Sequence, residues 1–249
     1  MNIKRYIPNF FTMGNLFFGT IAAMFATLLQ FEAAAICVVI AIVFDFFDGF
    51  LARILKVQGE LGKRLDSLAD MVTSGIVPGI VMFGLLGDGT AMITPEQTET
   101  MIWTGFQFKT AQMIGLLLTI AACYRLAKFN LDTRQTDSFI GLPTPAMSLF
   151  VVFLPVIVAT TEVHIVKELL TNQYVLIGIT LVLSYLMNAE LPLLALKFKK
   201  FAWKGNEFRF ILIALSISLL ITVQYLAVPL IILVYIILSL VENMTRKKA

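Results

Sequence analysis

Charge, histidine and cysteine are all scarce in this sequence. Only 14% of the 249 residues are charged, against about 25% in an ordinary soluble domain, which excludes a soluble globular protein of this length. His164 is the only histidine and falls in a connecting segment, so imidazole-based metal or acid–base chemistry has little support. The two cysteines, Cys37 and Cys123, both fall inside apolar runs. They read as small buried apolar side chains, not as a disulfide. There is no internal repeat and no low-complexity linker, so residues 1–249 are expected to form a single domain. The net charge of +3 is too small to argue for nucleic acid.

Apolar residues are abundant instead: 59% of the chain is hydrophobic and the mean hydropathy is +0.88. Runs of helical length recur from end to end. The expected fold is therefore all-α, a polytopic transmembrane helical bundle of about eight spans. The spans are expected near Thr12–Leu29, Ala33–Leu55, Leu65–Leu86, Thr110–Phe129, Pro143–Thr161, Tyr174–Leu196, Phe208–Gln224 and Ala227–Val241. Residues 1–11, with Lys4, Arg5, Tyr6 and Pro8, read as an interfacial segment. A cleaved signal peptide is the alternative, but the apolar stretch after it is long for a signal core. Pro78 is expected to kink the third span. Residues 87–109 read as a polar loop, and the last two spans, within 208–241, as an antiparallel hairpin. Sorting basic residues by alternate loops puts 17 on one side and only Lys109 and Lys167 on the other. Both termini are thus expected in the cytoplasm.

The informative stretch runs from Asp45 to Asp70, within the second and third spans, 33–86. It holds Asp45, Asp48, Asp66 and Asp70, at helical spacings of three and four. Each pair projects from one helix face. An acid in or beside hydrocarbon reads as functional by default. If the two helices are neighbours, the four acids converge. Carboxylates that close repel one another unless cations neutralise them, and hard oxygen ligands favour Mg²⁺, Mn²⁺ or Ca²⁺ over zinc. Gly49 would let a ligand or a backbone approach closely. Arg53, one turn on, suits a phosphate oxygen. At the end of the fourth span, Arg125, Lys128 and Asn130 offer cationic and amide groups for a carboxylate or phosphate. As snorkelling residues at a helix end they would have no such role.

The spacing D-x2-D-G-x2-A-R-x8-G-x3-D-x3-D, from Asp45 through Gly62 to Asp70, resembles the signature of the CDP-alcohol phosphotransferases, with all eight fixed positions present. Chance agreement is on the order of one in 10⁹ per start. The resemblance implies two divalent ions, Mg²⁺ or Mn²⁺. Asp45 and Asp66 would bridge both, Asp48 would complete one site and Asp70 the other, with Asp70 also acting as the base. Gly49, Arg53, Asn9, Thr12 and Gly59 match positions at the nucleotide and its phosphates, although Gly59 stands where Ser or Thr is common.

Three further stretches look like the phosphatidylserine synthase branch of that family. They are Ile7–Leu16, Cys123–Asn130 and Phe139–Pro145. Arg64–Met71 points the same way. Lys128 departs from the branch, which has arginine there; the charge is kept and the bidentate fork is lost. The branch implies CDP-diacylglycerol as donor, L-serine as acceptor with Arg125, Lys128 and Asn130 as candidate serine ligands, and a homodimer. It places the site at the cytoplasmic face of the inner membrane, where the donor's tails stay in lipid. A sister enzyme with glycerol phosphate or inositol phosphate as acceptor, or an ether-lipid donor, is the alternative. A cation transporter is a remote one, because the acids lie toward one membrane face beside Arg53 and Lys63 and not at its middle.

Overall fold

The computed structural model describes residues 4, 6–87, 110–131, 139–194 and 206–246. The expected polar loop falls almost wholly outside these residues, as do Lys109, Arg134 and 195–205. Among the described residues the architecture is helical, with one short strand pair. Helix α1 is Tyr6–Thr27 and α2 is Phe31–Ile54. A third helical stretch runs without a break from Glu60 to Leu86, as α3 (Glu60–Asp70), a π-helical turn (Met71–Ile76) and α4 (Val77–Leu86). Then come α5 (Thr110–Gly115), α6 (Leu117–Leu131), β1 (Phe139–Ile140), α7 (Thr144–Thr160), α8 (His164–Thr171), α9 (Gln173–Asn188), β2 (Pro192–Leu193), α10 (Glu207–Val223) and α11 (Ala227–Arg246).

Among the described residues five helical stretches are long and apolar enough to cross a membrane, and a sixth joins them if α8 and α9, bent by 70°, count as one. Helix α7 is equally apolar but only 17 residues long. The stretch Glu207–Thr245 has 39 residues, about twice the length that a bilayer needs. It is broken at Gln224, which takes a left-handed φ of 48°, and α10 packs against α11 across that break. Helix α1 begins at Tyr6, so residues 6–11 continue the first span as helix.

The centre of the bundle is α4 and α7. Val77, Val81, Met82 and Leu86 of α4 and Met147, Val151, Leu154 and Ile157 of α7 are buried. The periphery stays apolar, as lipid contact requires: Ile36, Val39, Val43, Phe46 and Phe50 of α2 are exposed. Lipid is as apolar as leucine, so helices here associate by close packing and interhelical hydrogen bonds. Both are visible along the third stretch. Pro78 has no N–H and its ring crowds the carbonyl of Ser74. The turn before it widens: the Val77 N–H bonds the Val72 carbonyl, five residues back. The expected kink is thus absorbed as a π turn, a feature that recurs at functional sites. The neighbouring helices satisfy the loosened backbone. Thr119 Oγ1 donates to the Gly75 carbonyl at 2.9 Å and Ser148 Oγ to the Thr73 carbonyl at 3.2 Å.

A backbone strap closes one end of the bundle. Strand β1 pairs antiparallel with β2, Ile140 opposite Pro192. Gly141 follows at φ +75°, where an added Cβ would meet the Met187 carbonyl oxygen at 2.4 Å. Only glycine fits that conformation and that approach. Helix α11 braces the strap with polar residues four apart. Tyr235 Oη donates to the Leu194 carbonyl at 3.1 Å, Ser239 Oγ accepts from the Leu194 N–H at 3.1 Å, and Asn243 Nδ2 donates to the Pro192 carbonyl. The C-terminal helix therefore has a structural task that its sequence does not advertise.

Candidate active site

Helices α1, α2 and α3 build the site. Phe11 and Phe18 of α1 pack on Phe44 of α2, with ring centroids 5.7 and 5.4 Å apart, and Phe11 also meets Phe47 at 5.9 Å. Such aromatic pairs contribute about 0.5–1.5 kcal/mol each beyond area burial. They set the register that places Thr12 of α1 against Asp48, where Thr12 Oγ1 donates to Asp48 Oδ2 at 2.6 Å. Asp48 is only 6% exposed. Helix α2 then ends in a Schellman-type turn: the Val57 N–H bonds the Ala52 carbonyl at 3.0 Å and Lys56 takes φ 52°. This turn reverses the chain and sends α3 back along α1.

The reversal brings the acids together. One carboxylate oxygen each from Asp45, Asp48 and Asp66 lies within 4.8 Å of the others. Asp70 falls outside that group; its Oδ1 accepts from Asn15 Nδ2 at 3.2 Å. Three anionic oxygens this close repel strongly without a cation between them. An all-oxygen donor set of this kind fits a hard divalent ion such as Mg²⁺ or Mn²⁺.

Beside the cluster lies an open cavity of about 1280 Å³. Asp48 and Asp66 line it, together with Asn9, Thr12, Gly49, Arg53 and Gly59, the five positions expected at the nucleotide. Gly49 lies inside α2, where glycine costs about 0.5–1 kcal/mol relative to alanine. No packing contact explains it, since the nearest atom to an added Cβ would be Arg53 Nη2 at 3.8 Å. The space beside Gly49 belongs to the cavity. Arg53 Nε donates to the Gly49 carbonyl at 2.8 Å, which holds the side chain over that space.

The other expected residues sit at the α6 end and do not converge on the cavity. Arg125 is 6% exposed. Its Nε donates to the Leu142 carbonyl, and its Nη2 donates to the Gly141 carbonyl at 3.2 Å. It is clamped to the strap and does not snorkel. Lys128 pairs with Glu190 at 3.5 Å. Asn130 Nδ2 donates to Ser67 Oγ at 2.8 Å and its backbone carbonyl accepts from Lys63 Nζ at 3.1 Å, tying α6 to α3. His164 lies on α8, 3.8 Å from Glu168 and far along the chain from any acid of the site. Sequence reasoning missed Asn15, Thr73 and Ser148. Asn15 carried a usable signal: an amide in the middle of an apolar run must find partners.

The family model for CDP-alcohol phosphatidyltransferases matches residues 5–186, which contain every one of these site residues. The chain belongs to this family. Among its relatives, a Helicobacter pylori protein named CDP-diacylglycerol–serine O-phosphatidyltransferase is 29% identical over 222 residues, covering 87% of this chain and 83% of that protein. A Bacillus subtilis protein of the same name is 30% identical over 154 residues, covering 60% of this chain and 75% of its own length. An archaetidylserine synthase from Methanothermobacter thermautotrophicus is 26% identical over 146 residues, 57% of this chain and 54% of that protein.

Proposed function

We propose that this protein transfers the phosphatidyl group of CDP-diacylglycerol to the hydroxyl of L-serine, giving phosphatidylserine and CMP. The observation that carries this reading is that Asp48 and Asp66 of the acid cluster line one open cavity with the five expected nucleotide positions. The names of the relatives support serine as acceptor. Serine-dependent release of CMP by the purified protein tests it.

Asp45, Asp48 and Asp66 would hold the metal, with Asp70 as a further ligand. Two divalent ions, when bound, neutralise the pyrophosphate and the charge that develops at the attacked phosphorus. Gly49 and Arg53 receive the nucleotide and its phosphates, with Asn9, Thr12 and Gly59 on the cavity wall. Asp70 takes the proton of the serine hydroxyl. The serine oxygen–phosphorus bond forms as the phosphoanhydride bond breaks, and CMP leaves with that electron pair. Arg125 acts on the acceptor side. It holds the strap at Gly141 and Leu142 against α6. Lys128 and Asn130 stand behind it at the same helix end.

Gly49→Ala tests the donor assignment. Alanine suits the helix better than glycine, so thermal stability should hold or rise. The methyl group intrudes on the cavity, and a steric cost of about 1–3 kcal/mol would raise the KM for CDP-diacylglycerol by roughly 5- to 150-fold. The KM for serine should stay put. An unchanged donor KM would remove Gly49 from the nucleotide site.

We read the membrane topology as eight spans in one domain, with both termini and the site on the cytoplasmic side of the inner membrane. The 17-to-2 distribution of basic residues supports this orientation. The fold-back of α10 on α11 and the apolar character of α7 support the count. In a background lacking Cys37 and Cys123, external thiol labelling should reach a cysteine near Glu96 and spare one near Lys63 or Lys200. The reverse pattern would overturn the orientation. A homodimer belongs to the same reading, from family resemblance.

A further inference from the structure

Asp70 differs from the other three acids in its surroundings. It is addressed from α1 by Asn15, whose Nδ2 donates to Asp70 Oδ1 at 3.2 Å. The Oδ1 of the same amide accepts from Thr73 Oγ1 at 2.7 Å. Thr73 stands in the π turn that begins one residue after Asp70. Asn15 and Thr73 are both 0% exposed. The backbone under Thr73 is fixed in turn by Ser148 of α7. Helix α1 makes room for the Thr73 hydroxyl at Gly19, where an added Cβ would stand 2.2 Å from Thr73 Oγ1. No feature of the acid cluster itself requires this line of contacts.

The chemistry of the line is directional. A carboxylate only accepts, whereas an amide has one donating end and one accepting end. Asp70 therefore takes the donating end of Asn15, and the Thr73 hydroxyl, which can donate, anchors the accepting end. Without that hydroxyl the buried amide oxygen loses its partner, and the amide is held at one end only. With it, Asp70 Oδ1 is held by Asn15 and the plane of the carboxylate is set.

We propose that Asn15 and Thr73 are positioning residues for Asp70: they fix its rotation so that one chosen oxygen meets the serine hydroxyl. This rests on the reading of Asp70 as proton acceptor. Neither residue touches substrate. Their effect belongs in the transition state, where the proton moves, and not in the binding of donor or acceptor.

Thr73→Val keeps the shape of the side chain and removes the hydroxyl. In protein that inserts and purifies, kcat with serine should fall about 10- to 100-fold, a part of the ~10²–10⁴ that a positioned base supplies. The KM values for serine and CDP-diacylglycerol should stay within about twofold. Calorimetric binding of CMP with Mn²⁺ should match the wild type. Thr73→Ser restores a hydroxyl and should restore kcat. If Thr73→Val does not insert, Thr73→Ala removes the hydroxyl without adding bulk and is held to the same results. A hydroxyl-less variant with wild-type kcat, a loss that Thr73→Ser does not recover, or a loss carried by KM or by CMP and Mn²⁺ binding would each overturn the proposal. Wild-type protein with no serine-dependent turnover would overturn the proposed function and this inference together, whereas an active wild type matched by Thr73→Val overturns the inference alone.

Discussion

Asp45→Asn should reduce turnover by a factor of at least ~10², and by more if the metal is lost outright, while the protein still inserts and purifies. The substitution keeps the size of the side chain and removes one charge. Asp45 shares the 4.8 Å cluster with Asp48 and Asp66, so its loss relieves repulsion in the metal-free protein. The melting temperature in chelator should therefore hold or rise. Added Mn²⁺ should stabilise the wild type, because a ligand that binds only the folded state shifts the unfolding equilibrium, and should stabilise Asp45→Asn much less. Asp48→Asn, Asp66→Asn and Asp70→Asn should lose activity to a similar extent, and a chelator should abolish wild-type turnover reversibly. Activity and a Mn²⁺-induced melting shift measured side by side check this. Near-normal turnover of Asp45→Asn would remove the metal centre from the account.

Arg125→Lys should be felt twice. The guanidinium spans two carbonyls of the strap, those of Gly141 and Leu142. A lysine has one nitrogen and no fork, so at least one buried carbonyl loses its partner, at about 1–3 kcal/mol. The melting temperature should fall accordingly. In the proposed reading Arg125 also meets the acceptor, and losing that charge-assisted contact would cost ~1.5–3 kcal/mol, roughly 10- to 150-fold in kcat/KM for serine. The KM for serine should rise more than that for CDP-diacylglycerol. Full two-substrate kinetics, alongside the melting curve, separate the two effects. A melting shift with unchanged serine kinetics would leave Arg125 a clamp and nothing more. A loss confined to the donor would move it to the phosphate side.

Much of the bundle was legible because membrane helices announce themselves by length and apolarity. The convergence of Asp45, Asp48 and Asp66 was legible because two helical spacings flank a turn short enough to force adjacency. The cavity positions Asn9, Thr12, Gly49, Arg53 and Gly59 came through family resemblance, and they line one space. The rest depended on contacts between residues far apart in sequence. Pro78 announced a kink, but whether a helix bends or widens depends on which neighbours can bond the freed carbonyls, here Thr119 and Ser148. Arg125 looked like a ligand or a snorkelling cation, because its two carbonyl partners sit 16 and 17 residues away in a strap with no strand signal. Tyr235, Ser239 and Asn243 lie one turn apart in an apolar helix, a pattern that shows a polar face and not what that face holds. The bend of 70° between α8 and α9 follows a single Asn172 whose side chain caps α9, accepting from the Tyr174 N–H at 2.9 Å. Asn is an ordinary helix start, and nothing in its type sets an angle.

The most direct test of the central claim is a turnover assay on purified protein in CDP-diacylglycerol micelles, with Mn²⁺ or Mg²⁺ and a panel of labelled alcohols. The panel contains L-serine, glycerol phosphate and inositol phosphate. The account predicts metal-dependent release of CMP with serine alone, and label appearing in a lipid that carries both a carboxylate and an amine. Release of CMP with glycerol phosphate or inositol phosphate in place of serine, or no release with any of the three while CMP and Mn²⁺ still bind, would contradict it.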